Sequence, residues 1–466
     1  MISSLGFSFR PLVLVTAAAF IFFFLSLTHV SPVRPWTASL WQPSLRLTGQ
    51  AQETDPNAPL CRHLAGAEDV VVVMRTGATE IQNKLPVHLR TTFKCYPDTL
   101  IFSDYAEVFE GHQVYDVLVD VDHRIREVHP DFEHYHRLQE LGRLGLEDHE
   151  LHSESIESGP VGKNDNPGWR LDKWKFLPMI VRTLELRPNQ KWYVFVEPDT
   201  YLVWTNLIQW LQTLNPGRAS YYGSEVQIGN DIFAHGGSAF VLSNAAMNKA
   251  ADIYTAHPDE WHSRTAQHWA GDCILGTALK QAGVKLTWAW PMFQGGNPTY
   301  MKWNDSKPEK QVWCTPALSY HHFLADEVER MWTFEQHRLR GLLSRIARPP
   351  SSSSSWRREE SVMYHSDVFK QFILPDIPTE RMAWSNMPPD DNLPHIPQLS
   401  MDACRRVCEV NDQCVQYSAG PDGCSVTNMA NLGHAAEGME SAWMSDRIET
   451  WLYEMDKCRR RGWIHW

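Results

Sequence analysis

The sequence predicts an α/β fold, a doubly wound nucleotide-binding sheet, with a small cysteine-rich domain behind it. Three observations carry this. Two short runs of almost unbroken apolar residues, Val70–Met74 and Trp192–Val196, read as strands buried on both faces. Each run passes into a polar turn and then into apolar residues at helical spacing, the alternation expected of a sheet with covering helices. Towards the C-terminus the composition turns to Ser and Pro and then to four close cysteines, Cys404, Cys408, Cys414 and Cys424. That pattern suits a domain with too little core to stand without covalent links.

The chain has 466 residues, a formal charge of −12 and nine cysteines. No segment gathers Lys and Arg into a stripe, which argues against nucleic acid as a partner. Nine cysteines fit an oxidising compartment, and the odd number leaves at least one outside intramolecular pairs. Spacing alone does not pair Cys61, Cys95, Cys273, Cys314 and Cys458. At the start, Arg10 is followed by an uncharged apolar run from Pro11 to Leu27. Crossing a bilayer takes roughly twenty helical residues. No small-residue cleavage site follows Leu27, so 11–30 reads as an uncleaved signal anchor with 1–10 cytosolic. A single-pass type II protein of the Golgi or ER membrane, facing the lumen, is the expected setting. Residues 31–60, rich in Pro, Ser, Thr and Gln, read as a stem.

The catalytic-domain candidate, 61–345, opens with the strand Val70–Met74, which runs into Arg75-Thr76-Gly77. A helix is expected to about Phe93 and a second strand near Leu100–Asp104. The His- and Glu-rich stretch between Asp120 and Gly168 reads as an inserted surface region. From Trp169 an amphipathic helix leads to the central strand, and on it Lys173 is either a nucleotide contact or a solvated surface charge. The strand Trp192–Val196 ends at Glu197-Pro198-Asp199-Thr200, since Pro198 has no N–H for a ladder. A helix follows from Trp204, with Thr205 or Asn206 available as caps. Two carboxylates at the carboxyl end of a central strand sit where open α/β sheets bind ligands, beside Arg75 and Thr76. Oxygen ligands of this kind select Mg²⁺ or Mn²⁺.

Three further segments belong to the same argument. Gly236-Gly237 precede a buried strand and let backbone approach a ligand closely. Asp272 opens a helix, either as a cap or as a general base; spacing leaves both open. Between Trp288 and Trp313 several aromatics, among them Trp290 and Trp303, offer faces of the kind that sugar rings contact, or else form core. Asn304-Asp305-Ser306 is an N-glycosylation sequon. Ser319-Tyr320-His321-His322 follows, and an imidazole there would complete a metal site begun by the two acids.

From about Val70 to Phe323 the chain resembles glycosyltransferase family 31, inverting β-1,3-glycosyltransferases of GT-A fold, in its core-1 galactosyltransferase and Fringe branches of fungal type. Four motifs in order carry the likeness: W-Y-V-F-V with E-P-D-T-Y, G-G-S-A-F-V-L-S from Gly236, G-D-C-I-L-G around Asp272, and L-S-Y-H ending at His321. The resemblance implies a GT-A Rossmann-like domain that takes a UDP-sugar donor and a glycan or glycoprotein acceptor. It places Glu197, Asp199 and His321 on the metal, Asp272 as catalytic base, and Gly236 and Gly237 on the acceptor side. The chain departs from the family at Glu197, where the family has Asp, at Pro198, and in lacking an acid before Asp272.

After a Ser/Pro-rich linker, 346–400, the segment 401–466 resembles a PAN/Apple domain, a small disulfide-rich α+β module. That resemblance implies the nested pairs Cys404–Cys424 and Cys408–Cys414 and a role in holding acceptor glycoprotein, or a purely structural one. Two functions are therefore expected in competition: a metal-dependent, UDP-sugar-using hexosyltransferase, or a carbohydrate-binding protein on a transferase scaffold without turnover.

Overall fold

Eight strands form the central sheet of the computed structural model: β1 (Val70–Arg75), β2 (Asp98–Ser103), β3 (Glu107–Phe109), β4 (His112–Asp116), β5 (Trp192–Val196), β6 (Tyr221–Gly223), β7 (Phe240–Ser243) and β8 (Leu286–Trp288). Their order across the sheet is β8-β6-β7-β5-β1-β2-β4-β3. β1 pairs in parallel with both β2 and β5, and β7 runs antiparallel between β5 and β6. Both β1 and β5 are buried along their whole length, as their unbroken apolar composition requires. The structure describes residues 59–151, 167–346, 361–389 and 395–466. The apolar run Pro11–Leu27, the stem up to residue 58 and the serines Ser351–Ser355 lie outside them. No helix among the described residues is long and apolar enough to cross a membrane.

The helix Pro167–Leu186 covers one face of the sheet with Phe176, Leu177, Met179 and Ile180. On the other face Trp204, Leu207, Ile208 and Leu211 of the helix Trp204–Leu211 pack against Val70, Val72, Val194 and Val196. Thr205 and Asn206 do not cap this helix. They lie inside it, where Thr205 bonds Glu335 and Asn206 donates to the carbonyls of Ala317 and Met363. The stretch after Asp120 is also more than surface. Phe132, Tyr135 and Leu138 are fully buried, forming a small core with Leu118, Val121, Leu171 and Trp174.

The C-terminal part is a five-stranded antiparallel sheet, in the order Glu380–Ser385, His434–Trp443, Gln416–Gly420, Gly423–Thr427, His395–Ile396. Its helix Met401–Val410 carries Cys404, bonded to Cys424, and Cys408, bonded to Cys414. The first strand of this sheet and the helical turns at His365–Ile373 fall where a plain linker is expected. Buried Val362, Met363, Tyr364, Val368, Phe369 and Ile373 explain the difference. One core joins both parts, running from Tyr201, Trp303 and Trp313 through Phe369 to Val415, Trp443 and Ile448. Two further disulfides, Cys61–Cys95 and Cys314–Cys458, leave Cys273 free and buried.

Candidate active site

The parallel register of β1 and β5 aligns Met74 with Val196. The next residues, Arg75 and Glu197, therefore emerge side by side at the carboxyl edge of the sheet. There the Arg75 guanidinium forms ion pairs with both Glu197 and Asp172 and lies 4.2 Å above the Phe176 ring. Burial favours the neutral form of Glu197, but Arg75 and then His321 outweigh it and bring the pKa down to about 2.

Past Pro198 the chain turns, with Thr200 N–H donating to the Glu197 carbonyl at 3.0 Å. His88, buried in the helix Ile81–Arg90, holds the turn through Nε2, 2.7 Å from the Pro198 carbonyl. Asp199 follows. Lys84, on the same helix as His88, reaches its Oδ2 at 3.1 Å. Burial disfavours the Asp199 carboxylate, yet Lys84 and the His321 and His322 imidazoles hold its pKa well below the usual range.

His321 arrives from far along the chain. Tyr201–Leu202 and Ser319–Tyr320 form a two-stranded antiparallel ladder, which sets the following residue, His321, beside the acidic turn. Its Nε2 lies 3.2 Å from Asp199 Oδ1 and 3.7 Å from Glu197 Oε2. Burial alone would depress the His321 pKa; the two carboxylates override it and raise the value to about 10. His322 sits in ring contact with His321, centroids 3.9 Å apart.

Gly237 explains the fit of this cluster. A Cβ there would stand 2.2 Å from His321 Cε1, a separation no side chain tolerates. Gly236 donates its N–H to Asp272 Oδ2 at 2.9 Å, and Cys273 N–H donates to Oδ1 at the same distance. Asp272 lies in the first turn of the helix Gly271–Gln281, one residue inside it, and not at the cap position Ala270. Burial, against these two hydrogen bonds and Arg75, pushes its pKa up to about 6. A carboxyl poised near neutrality suits proton abstraction.

The donor set fits a divalent cation. Asp199, His321 and His322 each offer an atom, all within 4.8 Å of one another. Asp199 Oδ1 faces His321 Nε2, and His321 Nδ1 is buried without a hydrogen-bond partner, which is costly unless something pairs with it.

Arg75, Glu197, Asp199, Gly236, Gly237, Asp272 and His321 are thus brought together. Thr76 is buried at the same edge, and its carbonyl accepts from Lys175 Nζ at 2.7 Å. Lys173 turns away to pair with Asp131 at 2.8 Å. Trp303 is fully buried against Trp313 and Phe369, so an acceptor-side contact there is replaced by a packing role. Trp290 is half-buried and stacks on Trp288. Asn304 is exposed.

Sequence reasoning missed His88, Lys84, Asp172, Lys175 and Asp104, and it chose His321 rather than His322 as the imidazole of the site. Asp104 closes β2 at the same edge and lies 3.4 Å from Lys175 Nζ. Its place at a strand end was a usable signal. His88 and Lys84 carried none, for both sit in an ordinary helical pattern.

Compared with known proteins, residues 173–335 match the family described as Fringe-like, and no curated protein matches the chain. The match begins after β1 to β4 and runs from Lys173 through the acidic turn, the paired glycines, Asp272 and His321. The large mixed sheet is compatible with a Fringe-like GT-A fold. Over residues 173–335 the chain is therefore similar to the Fringe-like family, and this stretch holds the acidic turn, the paired glycines, Asp272 and His321.

Proposed function

We propose that the protein transfers a hexose, galactose or another UDP-activated sugar, from a UDP-sugar to a hydroxyl of a glycan or glycoprotein, with inversion and a β-1,3 linkage. The observation that carries this reading is the convergence of Asp199, His321 and Asp272 on one sheet edge, joined through Gly236 and Gly237. A binding protein without turnover has no need to keep a carboxyl of raised pKa 2.9 Å from that backbone.

In this reading Asp199 and His321 hold a divalent cation, which when bound neutralises charge on the departing diphosphate. Arg75 adds a fixed positive charge at the same edge, kept in place by Asp172 and Glu197. Asp272 takes the proton from the acceptor hydroxyl as that oxygen attacks the anomeric carbon from the face opposite UDP. Gly236 adds no side chain of its own beside Asp272, where the acceptor approaches, and Gly237 makes room for the His321 ring.

The same reading places the protein in the Golgi or ER membrane through the apolar run Pro11–Leu27, with Asn304 open to glycosylation. The C-terminal sheet, in its PAN/Apple-like reading, holds acceptor glycoprotein. The test is transfer and UDP release by the full chain across a panel of UDP-sugars and β-linked acceptors. UDP release that needs both acceptor and cation supports the reading; its absence with every donor and acceptor overturns it.

A further inference from the structure

We propose that His322, not Glu197, completes the cation site, making it a donor set of two imidazoles and one carboxylate. Such a set favours Zn²⁺, Co²⁺ and similar nitrogen-binding ions over Mg²⁺ and Mn²⁺. The proposal rests on reading this edge as a cation-dependent donor site and goes further by naming the ligands and the class of ion.

Three observations carry it. The residues whose donor atoms gather within 4.8 Å are Asp199, His321 and His322, and Glu197 is not among them. Glu197 is anchored through Oε1 to Arg75, a guanidinium that is itself buried and shared with Asp172, while its Oε2 lies 3.7 Å from His321 Nε2. Drawing Glu197 away from Arg75 onto a cation would strip a buried charge of one of its two partners, a costly step. Asp199 is the reverse case. Lys84 takes Oδ2 alone, while the buried Oδ1 faces His321 Nε2 at 3.2 Å, and Nδ1 of His321, a residue only 6% exposed, is buried without a hydrogen-bond partner.

His322 is also held in place for this task. Its backbone φ is +61°, a left-handed conformation that residues with a Cβ seldom adopt. Its carbonyl accepts from Asn297 Nδ2 at 3.0 Å, and the next N–H, of Phe323, donates to the Asp199 carbonyl at 2.9 Å. The turn that carries His322 is thereby tied directly to the residue that supplies the carboxylate. With Pro198 in the middle of the acidic turn and Glu197 anchored by Arg75, Asp199 is the carboxylate of that turn whose oxygen gathers with both imidazoles. The second imidazole makes up the number.

The test is cation binding by the full chain, without donor or acceptor, for the unaltered protein and for His322→Ala, Glu197→Gln and Asp199→Ala. Visible absorption of bound Co²⁺ reports the ligand field, and calorimetry ranks Zn²⁺, Co²⁺, Mn²⁺ and Mg²⁺. We expect Co²⁺ and Zn²⁺ to bind more tightly than Mg²⁺. His322→Ala should weaken Co²⁺ by about tenfold or more, given that losing even an outer partner of a ligand costs 10–100-fold, and should change the spectrum. Glu197→Gln should leave the spectrum unchanged. Normal Co²⁺ binding in His322→Ala, with loss in Glu197→Gln and Asp199→Ala, would overturn the ligand assignment and leave the transferase reading standing. No cation bound by the unaltered protein, with or without UDP, would remove both. Circular dichroism and melting of each variant separate lost ligation from lost fold.

Discussion

At the scale of single residues, Asp272 and the two glycines beside it make the sharpest statements. Asp272→Asn keeps the shape and the hydrogen bond from Gly236 but cannot accept a proton. We expect turnover to fall by about 10²–10⁴-fold with UDP affinity unchanged, read by steady-state transfer and by UDP titration. Its pH dependence has a definite sign. In the proposed role the base works as carboxylate, and the pKa of Asp272 is raised by burial to about 6. kcat/KM should therefore be flat above that value and fall roughly tenfold per unit below it; a profile flat down to about pH 4.5 would contradict the role. The glycines separate by what a methyl group would meet. At Gly237 the added carbon collides with the buried His321 ring, 2.2–2.7 Å from three of its atoms. At Gly236 it meets only the ends of Glu197, Arg75 and Asp272, at 3.1–3.5 Å. Gly237→Ala should thus abolish cation binding by displacing His321, whereas Gly236→Ala should retain it and lose mainly acceptor affinity. Calorimetry with Co²⁺ beside acceptor titrations would show equal effects if the distinction is wrong.

At the scale of elements, the site is a consequence of strand register, and one helix holds its turn in place. His88 is buried and neutral, its pKa depressed to about 4 chiefly by burial. It spans from Thr92 Oγ1, at 2.9 Å, to the Pro198 carbonyl, at 2.7 Å. Replacing it with Leu fills the volume but leaves that buried carbonyl unpaired, at a cost of about 1–3 kcal/mol. We expect His88→Leu to show this in urea unfolding and to weaken UDP binding as the acidic turn loosens; unchanged stability would mean the contact is incidental. This helix also shows what a sequence makes legible. β1 and β5 could be read directly, because a short unbroken apolar run bounded by polar turns is stable only where both of its faces are covered. The acids after β5 could be placed because a strand end fixes where its turn lies. His88 could not, since its partner Pro198 lies 110 positions away and nothing local marks the pairing. Lys173 and Lys175 make the same point. They are separated by about 200° around one helix, so only the face that meets the sheet decides which one reaches Thr76, and that face is a tertiary fact. The helix caps expected at Thr205 and Asn206 failed for a related reason, because buried Glu335 and the carbonyls of Ala317 and Met363 claim those side chains.

At the scale of the whole molecule, the C-terminal sheet shares one core with the site-bearing part and is not an appendage on a tether. Cysteine spacing announced the small sheet, but it gave no sign that Trp313, Phe369 and Trp451 would meet in one cluster. Nor did it show that Cys458 would bond to Cys314, 144 residues earlier. Asn206 lies beneath the site-bearing strands and ties Ala317 to Met363, while His365 bridges Tyr320 Oη at 2.7 Å and the Pro291 carbonyl at 2.9 Å. The two-residue strand that positions His321 is therefore buttressed from the C-terminal side. Unfolding of the two parts should be coupled. We expect calorimetry of the full chain to give one transition spanning both. Replacing Cys314 and Cys458 with Ser should lower that single transition by about 2–5 kcal/mol, because the link closes a long loop. Cation affinity should weaken with it, since His321 is set by the same buttress. Two separated transitions, with only the later sheet shifted and cation binding unchanged, would mean that the C-terminal part folds independently and that the ladder carrying His321 stands without it.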